Sequence, residues 1–262
     1  MILVDVHAHL DFPEFSNDVQ DVIERSKAAG VAAIICQGVH TTSNANVLEL
    51  ATRYPLLKPA MGVYPLNLPN VRVNDEQDKD FDRKHAATID ETLQQIKQHA
   101  HKIVAIGEVG IDLHFSDDRE HQVANFTRIL QLANQLHKPV IIHSRKAEKL
   151  ILDILEDAKF TNAVLHCFNG GKGLIKRAVD NGLALTVTSN ANRLQHFQML
   201  AKMVPLGQLL TETDAPYLSP VVGERNEPQN VSYAIDVIAQ QKGLNNQEVA
   251  RAIFMNYQKR FL

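Results

Sequence analysis

The chain has 262 residues, with 27 basic side chains, 30 acidic side chains and 2 cysteines. A hydrophobic fraction of 45% is typical of a folded globular protein, and two cysteines exclude a disulfide scaffold. No apolar run reaches the roughly 18 residues of a transmembrane helix, and no basic segment of a signal peptide opens the sequence. We therefore expect a cytoplasmic protein without a membrane partner. The net charge of −3 argues against a broadly basic surface that wraps duplex nucleic acid.

Short apolar runs alternate with amphipathic segments of helical length along the chain. The apolar runs are rich in β-branched residues and do not alternate with polar ones, which is typical of parallel strands covered on both faces. They predict strands at residues 2–4, 31–36, 59–63, 103–106, 140–142, 163–165, 183–187 and 209–210. The amphipathic segments predict helices at residues 18–29, 44–53, 88–99, 118–136, 147–158, 174–181, 193–203, 231–241 and 246–256.

Eight strand–helix units in a chain of this length predict an α/β protein with a (β/α)₈ TIM barrel, in one domain over residues 1–262. The alternative is a doubly wound open sheet, which usually has fewer strands and a glycine-rich phosphate loop after the first. Here the first strand is followed by His7-Ala8-His9 and no glycine, which favours the barrel.

One polar segment, residues 66–85, interrupts this alternation after the third predicted strand. It is rich in charged and turn-forming residues, which predicts a long loop. Two interpretations stay open, a solvated surface excursion or a flap over the mouth of the barrel, since long loops often carry function.

Imidazole and carboxylate side chains follow several of the predicted strands. In a TIM barrel these positions meet at one rim, where active sites lie. The candidates are His7, His9, Glu108, His143, His166 and Asp214. His7 and His9 lie two residues apart in extended chain, so both can face the barrel axis.

This set of side chains predicts a metal site. Six ligands exceed what a single four-coordinate ion with an open position needs, so two divalent cations sharing a carboxylate explain them better. Glu108 is the candidate bridge, and Mg²⁺, Mn²⁺ and Zn²⁺ are the candidate ions. Cys167 follows His166 directly, so strand alternation predicts that it points into the core and is not a ligand.

With these residues assembled, the chain resembles the TatD family of metal-dependent hydrolases, within the amidohydrolase-like barrels. The resemblance covers nearly the whole chain. It rests on Asp5-Val6-His7-Ala8-His9-Leu10, Gly107-Glu108-Val109-Gly110-Ile111-Asp112, Pro139-Val140-Ile141-Ile142-His143-Ser144-Arg145, Leu165-His166-Cys167-Phe168-Asn169-Gly170, Glu212-Thr213-Asp214-Ala215-Pro216-Tyr217-Leu218, Arg225-Asn226-Glu227-Pro228 and Asn256-Tyr257.

The resemblance implies a dinuclear metal site and hydrolysis of phosphodiesters, of the 3′–5′ exonuclease type on single-stranded DNA. It implies one cation held by His7, His9, Glu108 and Asp214, and a second held by Glu108, His143 and His166. Glu108 and Asp214 are then the catalytic residues, with Asp214 taking the proton of the attacking water.

The resemblance also implies substrate contacts. Arg145 and Arg225 match positions expected near the phosphate, although Arg145 could instead pair with a neighbouring acid. Tyr64 replaces a histidine that the family usually has after the third strand, and its phenol can still donate a hydrogen bond to a phosphoryl oxygen. The loop after the seventh strand, from Ser189 to Arg193, also differs from the usual family pattern.

We expect single-stranded DNA or another phosphodiester as the substrate, and a monomeric protein. One alternative is hydrolysis of an amide or ester by the same metals, for example the deacylation of aminoacyl-tRNA. The other is a metal-holding binding scaffold without activity. The complete set of ligand types argues against the scaffold.

Overall fold

The computed structural model describes residues 1–74 and 85–262. The eight strands of the sheet are β1 Leu3–Ala8, β2 Val31–Gln37, β3 Leu57–Met61, β4 Ala105–Gly110, β5 Val140–His143, β6 Ala163–Leu165, β7 Ala184–Thr188 and β8 Leu209–Glu212. The α-helices in the described ranges are α1 Val19–Ala28, α2 Thr41–Arg53, α3 Ile89–His99, α4 Arg119–Leu136, α5 Glu148–Asp157, α6 Lys172–Asp180, α7 Gln195–Met203, α8 Ser232–Lys242 and α9 Asn246–Phe261.

The strands form one parallel sheet in chain order, from β1 to β8. A bridge between Ala8 of β1 and Ala215, three residues after β8, nearly closes the sheet into a barrel. The hydroxyl of Thr211 adds to this closure by donating to the Val4 carbonyl oxygen at 2.7 Å. The predicted TIM barrel is therefore confirmed, while its description as a single domain stays a prediction.

Several strands extend further toward the barrel mouth than their apolar runs, although β3 ends at Met61, two residues before the predicted end. β1 was expected at residues 2–4 but continues to Ala8, and β4 was expected at 103–106 but runs from Ala105 to Gly110. The reason is that the strands carry polar side chains where they approach the site, and an apolar run ends at the first polar residue. His7, Glu108 and His143 accordingly lie within strands.

Side-chain caps determine where several helices begin. Thr88 and Glu91 form a capping box at the start of α3, close to the predicted boundary. The helix α2 begins at Thr41, three residues before the prediction, because the His40 ring accepts a hydrogen bond from the Ser43 backbone nitrogen. Histidine is an uncommon cap, so the sequence pattern did not indicate this start.

The beginning of the long loop after β3 packs into the protein. Residues Leu66, Leu68 and Val71 are buried, so a solvated excursion is wrong for this part. Further along, the Asn74 nitrogen donates to the Phe115 carbonyl oxygen at 2.9 Å, which joins this loop to the loop after β4. The rest of the predicted loop, residues 75–84, lies outside the described residues, so a flap at that point stays a prediction.

Apolar side chains of the strands and of the inner helix faces form the core, among them Ile34, Ile106, Ile141 and Leu185, each without exposed surface. Among the helices that the structure describes, none combines the length and the apolarity needed to cross a bilayer. Helices cover the outer face of the strands, and the candidate site residues lie at one rim of the barrel.

Candidate metal centre

The carboxylate of Asp5 anchors the strand that carries the first two histidines. One of its oxygens accepts hydrogen bonds from the backbone nitrogens of His7, at 3.1 Å, and of Thr213, at 3.0 Å. Burial raises the pKa of Asp5 to about 8, although its hydrogen bonds with Thr213 and His7 favour the charged form. Asp5 thereby joins the end of β1 to the segment that follows β8.

The same junction brings Asp214 to the histidines of β1. The Asp214 nitrogen donates to the His7 carbonyl oxygen, and the His9 nitrogen donates to the Ala215 carbonyl oxygen, both at 2.8 Å. Asp214 Oδ1 consequently lies 3.5 Å from His7 Nε2 and 3.6 Å from His9 Nε2. These three side chains form the first group of possible metal ligands.

Glu108 lies between two groups of histidines because neighbouring glycines let its backbone come close. Its nitrogen donates to the Gly38 carbonyl oxygen at 3.1 Å, and a Cβ atom on Gly62 would lie only 2.4 Å from the Glu108 carbonyl oxygen. Glu108 Oε2 lies 3.3 Å from His7 Nε2 and 3.4 Å from His9 Nε2. The other oxygen, Oε1, faces the opposite group.

That second group consists of Glu108, His143 and His166. Glu108 Oε1 lies 2.9 Å from His143 Nδ1 and 3.2 Å from His166 Nε2. His143 reaches this place because its strand packs directly on Gly110, where a Cβ atom would lie 1.9 Å from the His143 carbonyl oxygen. The structure therefore brings all six predicted ligands together, with one Glu108 oxygen toward each group.

The buried charges of this centre stabilise one another. Burial raises the pKa of Glu108, but interactions with His166 and His7 outweigh it and hold that pKa well below its ordinary value. Burial lowers the pKa of His143, but hydrogen bonds to Asp112 and Glu108 raise it to about 9. In the protein alone, protons on imidazoles thus balance the carboxylates, a role that divalent cations can take over.

The donor set fits divalent cations. Two ligands of a tetrahedral zinc ion, each about 2.0–2.1 Å from the metal, lie roughly 3.3 Å apart. The donor atoms of His7, His9, Glu108 and Asp214 are separated by 3.1 to 3.6 Å along the measured contacts. Within the described ranges, the Nδ1 atom of His7 is buried without a hydrogen-bond partner, while its Nε2 atom lies among the donor atoms of this group.

Two further carboxylates lie behind the imidazoles of the second group. Asp112 Oδ2 lies 2.9 Å from His143 Nε2, and Glu212 Oε2 lies 3.5 Å from His166 Nδ1. Carboxylates behind histidine ligands commonly orient the ring and select its tautomer. Sequence reasoning did not assign these two residues, although each lies close to a predicted ligand in the chain, Asp112 four residues after Glu108 and Glu212 two before Asp214.

The centre opens into a cavity of about 450 Å³ at the barrel mouth. Glu108, His143, His166 and Asp214 line it, while the buried His7 and His9 lie beneath. The predicted substrate residues Tyr64 and Arg145 line it as well. Phe115, Tyr217 and Leu218 add an apolar part to the wall.

The three predicted substrate residues differ in their surroundings. The Arg145 guanidinium lies over the Phe115 ring, 4.7 Å from its centroid, and no ion pair to Arg145 occurs in the described ranges. The Tyr64 hydroxyl donates to Asp112 Oδ2 at 2.9 Å. Arg225 does not line the cavity and is engaged with Asp18, at 2.6 Å, and Glu227, at 2.9 Å.

Cys167 also lies differently from the expectation. Strand alternation predicted a core position, but Cys167 is half-buried and lines the cavity. Its backbone has a φ of 44°, so the chain leaves the extended conformation there and the alternation ends. Burial, together with the charges of Glu212 and Asp214, raises the pKa of its thiol well above the ordinary value, which disfavours the thiolate that a metal ligand requires.

Known proteins match this chain over nearly its whole length. Human "Deoxyribonuclease TATDN3" is 32% identical over 266 residues, covering 99% of this chain and 94% of the human protein. An "Uncharacterized metal-dependent hydrolase" from Methanocaldococcus jannaschii is 31% identical, covering 98% of this chain and 96% of its own length.

Solved structures of other proteins have the same fold as this chain. The crystal structure of the TatD homologue YjjV from Escherichia coli superposes with a TM-score of 0.85 at 29% identity, covering 99% of this chain and 97% of the other. An organophosphorus hydrolase from Deinococcus radiodurans, at 12% identity and a TM-score of 0.62, shares the fold alone. The family described as TatD related DNase matches residues 4–262. With this match and the relatives above, the chain belongs to the TatD related DNase family.

Proposed function

We propose that the chain is a divalent-metal-dependent phosphodiesterase that cleaves DNA. The observation that carries this proposal is the position of Glu108, whose Oε2 faces one pair of histidines and whose Oε1 faces another pair, within 2.9 to 3.4 Å. A carboxylate between two such groups is the arrangement of a two-metal hydrolytic site. Names of relatives such as the human deoxyribonuclease support DNA as the substrate class.

In this proposal His7, His9, Glu108 and Asp214 hold one cation, and Glu108, His143 and His166 hold the other. When bound, such cations lower the pKa of water and offset the charge of phosphate oxygens. Mg²⁺, Mn²⁺ and Zn²⁺ are the candidates, because imidazole and carboxylate ligands suit all three to different degrees.

Asp214 is the proposed general base. It lines the cavity with 15% of its side chain exposed, so water and substrate can reach it. Burial raises the pKa of Asp214, but a hydrogen bond with His9 and the charges of His7 and His166 outweigh it and lower that pKa. The carboxylate is therefore ionised at neutral pH, the protonation state that a general base requires.

Arg145 is the proposed phosphate contact at the cavity wall. Its guanidinium is held over Phe115 and keeps its donors available, and the planar fork suits phosphate oxygens better than an ammonium would. The cavity volume of about 450 Å³ suits a terminal nucleotide and supports action on an exposed end of single-stranded DNA. Substrate contact by Arg225 and a monomeric state stay predictions.

The test measures metal content and nuclease activity on the same protein samples. Wild type, Glu108→Ala and His143→Ala are stripped with a chelator and reloaded with Mg²⁺, Mn²⁺ or Zn²⁺, then given single-stranded oligonucleotides labelled at either end. We expect both variants to lose bound metal and at least about 100-fold in turnover, since removal of a ligand abolishes the cation that activates water.

Matched controls are Glu120→Ala and His101→Ala, two exposed side chains outside the cavity that should keep wild-type metal content and activity. Activity that survives exhaustive chelation would contradict the proposal. Cleavage of an aminoacyl ester with no cleavage of DNA would replace the substrate class, and bound metal without any hydrolysis would favour a binding scaffold.

A further inference from the structure

Tyr64 lines the cavity and also contacts residues around the candidate metal ligand His143. It follows β3 and is almost fully buried, and its backbone nitrogen donates to the Val39 carbonyl oxygen at 3.0 Å. Its ring packs edge-on against the His143 imidazole, with 5.0 Å between centroids. Its hydroxyl donates to Asp112 Oδ2 at 2.9 Å. The phenol is therefore directed at Asp112, which lies behind the candidate metal ligand His143.

The carboxylate that receives this hydrogen bond is held firmly in place. Asp112 has no exposed surface, and its Oδ1 accepts from the backbone nitrogens of His114, at 2.8 Å, and Phe115, at 3.1 Å. Its main chain is paired with the Gln122 amide in both directions, at 2.8 and 2.9 Å. Only Oδ2 is left for side-chain partners, and it lies 2.9 Å from both the Tyr64 hydroxyl and His143 Nε2.

This arrangement decides which nitrogen of His143 faces the candidate metals. With Nε2 paired to Asp112, Nδ1 is the ring nitrogen that faces Glu108 Oε1, 2.9 Å away, and is the one available to a cation once its proton is displaced. Asp112 Oδ2 thus has two hydrogen-bond partners, the Tyr64 hydroxyl and His143 Nε2. An oxygen that also accepts from a phenol holds the imidazole proton less strongly, which changes the donor strength of the other ring nitrogen.

We propose that Tyr64 is a positioning residue of the metal centre, whose hydrogen bond to Asp112 orients and tunes His143 for the cation held with Glu108 and His166. This inference rests on the proposed metal site. It differs from the sequence-based prediction that Tyr64 contacts the substrate phosphate, because the phenol proton is already donated to Asp112.

The first experiment compares metal binding by wild type and Tyr64→Phe, which removes one hydroxyl and keeps the ring. Stripped protein is titrated with Mn²⁺ by calorimetry, and kcat and KM are then measured on an oligonucleotide at saturating Mn²⁺. We expect about tenfold weaker binding at one of the two sites, the lower end of the range for residues behind ligands, and an unchanged KM.

The matched control is Tyr257→Phe, which removes a phenol that is also buried but lies in α9, away from the cavity. It should bind Mn²⁺ as wild type does. Circular dichroism of the stripped proteins checks that each variant is folded, so that a loss of affinity is not a loss of structure.

A double-variant comparison tests whether Tyr64 acts through Asp112. Asp112→Asn alone should weaken Mn²⁺ binding, and adding Tyr64→Phe should cause no further loss, because the acceptor of the phenol is already altered. The result that overturns the inference is an equal loss in both backgrounds, an unchanged affinity in Tyr64→Phe, or a raised KM at wild-type affinity. Wild-type protein that binds no Mn²⁺ would overturn the proposed function and this inference together.

Discussion

Three of the predicted ligands each have a buried carboxylate close to the side chain or to its strand. Asp5 holds the strand of His7, Asp112 faces His143, and Glu212 faces His166. Glu212 also accepts from the Cys167 nitrogen at 2.9 Å, which fixes its carboxylate. Buried carboxylates are stable here because several cationic or N–H donors surround each of them. The chemistry of the site thus depends on residues that do not themselves face the cavity.

The role of Asp214 can be separated from that of the other ligands. Asp214→Asn keeps an oxygen atom near His7 and His9 but removes the proposed proton acceptor. We expect most of the bound metal to remain and kcat to fall by about 10²–10⁴, the usual contribution of a general base. Metal content by mass spectrometry and kcat at saturating metal measure the two effects, with the exposed Asp157→Asn as the control. An unchanged kcat would place the base elsewhere.

At the scale of elements, charged side chains fasten the loop after β8 to α1. Arg225 pairs with Asp18 and Glu227, while Arg25 of α1 reaches Glu227 through Nε at 2.9 Å. The Arg225 guanidinium also lies over the Phe15 ring, 4.5 Å from its centroid. The segment that precedes α8 is thereby held against the first helix, on the outside of the junction where β1 meets β8 and the segment after it.

This network predicts a pH-dependent contribution to stability. Hydrogen bonds with Arg225 lower the pKa of Asp18; burial raises that of Glu227, but Arg25 and Arg225 outweigh it. Carboxylates with depressed folded-state pKa values stabilise the fold above their unfolded values of about 4, and this contribution is lost as pH falls through the folded values. Arg225→Ala should therefore cost about 1 kcal/mol of unfolding free energy at pH 7.

Urea unfolding at pH 7 and at pH 3.5 or below measures this cost, which should shrink at the lower pH. Arg251→Ala, an exposed arginine of α9, is the control and should behave as wild type at both values. Unchanged stability together with a raised KM for oligonucleotides would show that Arg225 contacts substrate and is not mainly a fastening residue.

For the molecule as a whole, the metal centre joins strands that are distant in the chain. Its candidate ligands come from β1, β4 and β5, from the residues that directly follow β1 and β6, and from the segment after β8. A cation that binds only the folded state stabilises that state. The stabilisation grows with the ratio of the free cation concentration to its Kd and is about 2.7 kcal/mol when that ratio is 100. Cations bound here should consequently stabilise the entire barrel and not one loop.

We therefore expect chelation to lower the melting temperature of wild-type protein by roughly 5–10 °C, since 1 kcal/mol corresponds to about 2–4 °C at this size. Reloading with Mn²⁺ or Zn²⁺ should restore it. Glu108→Gln, which keeps the size but not the charge of the shared carboxylate, should respond much less. Calorimetric melting with and without chelator measures the effect, and an equal response of the variant would show that Glu108 does not bridge the cations.

The alternation of strands and helices and the identity of six candidate ligands were evident from the amino-acid sequence. Both are local properties, because periodicity depends on near neighbours and ligand chemistry depends on residue type. Strand ends were less well predicted, since polar residues such as His7 and Glu108 continue strands whose apolar runs have already ended.

Only the tertiary structure decided how those residues meet. The approach of Glu108 between two histidine groups depends on glycines of neighbouring strands, and the pairing of Tyr64 with Asp112 joins residues 48 positions apart. Arg225 matched a family motif in the sequence. In the structure it pairs with Asp18, which lies 207 positions away in the chain, and it does not line the cavity. Such contacts arise from barrel closure, which brings distant segments together, and no pattern along the chain records them.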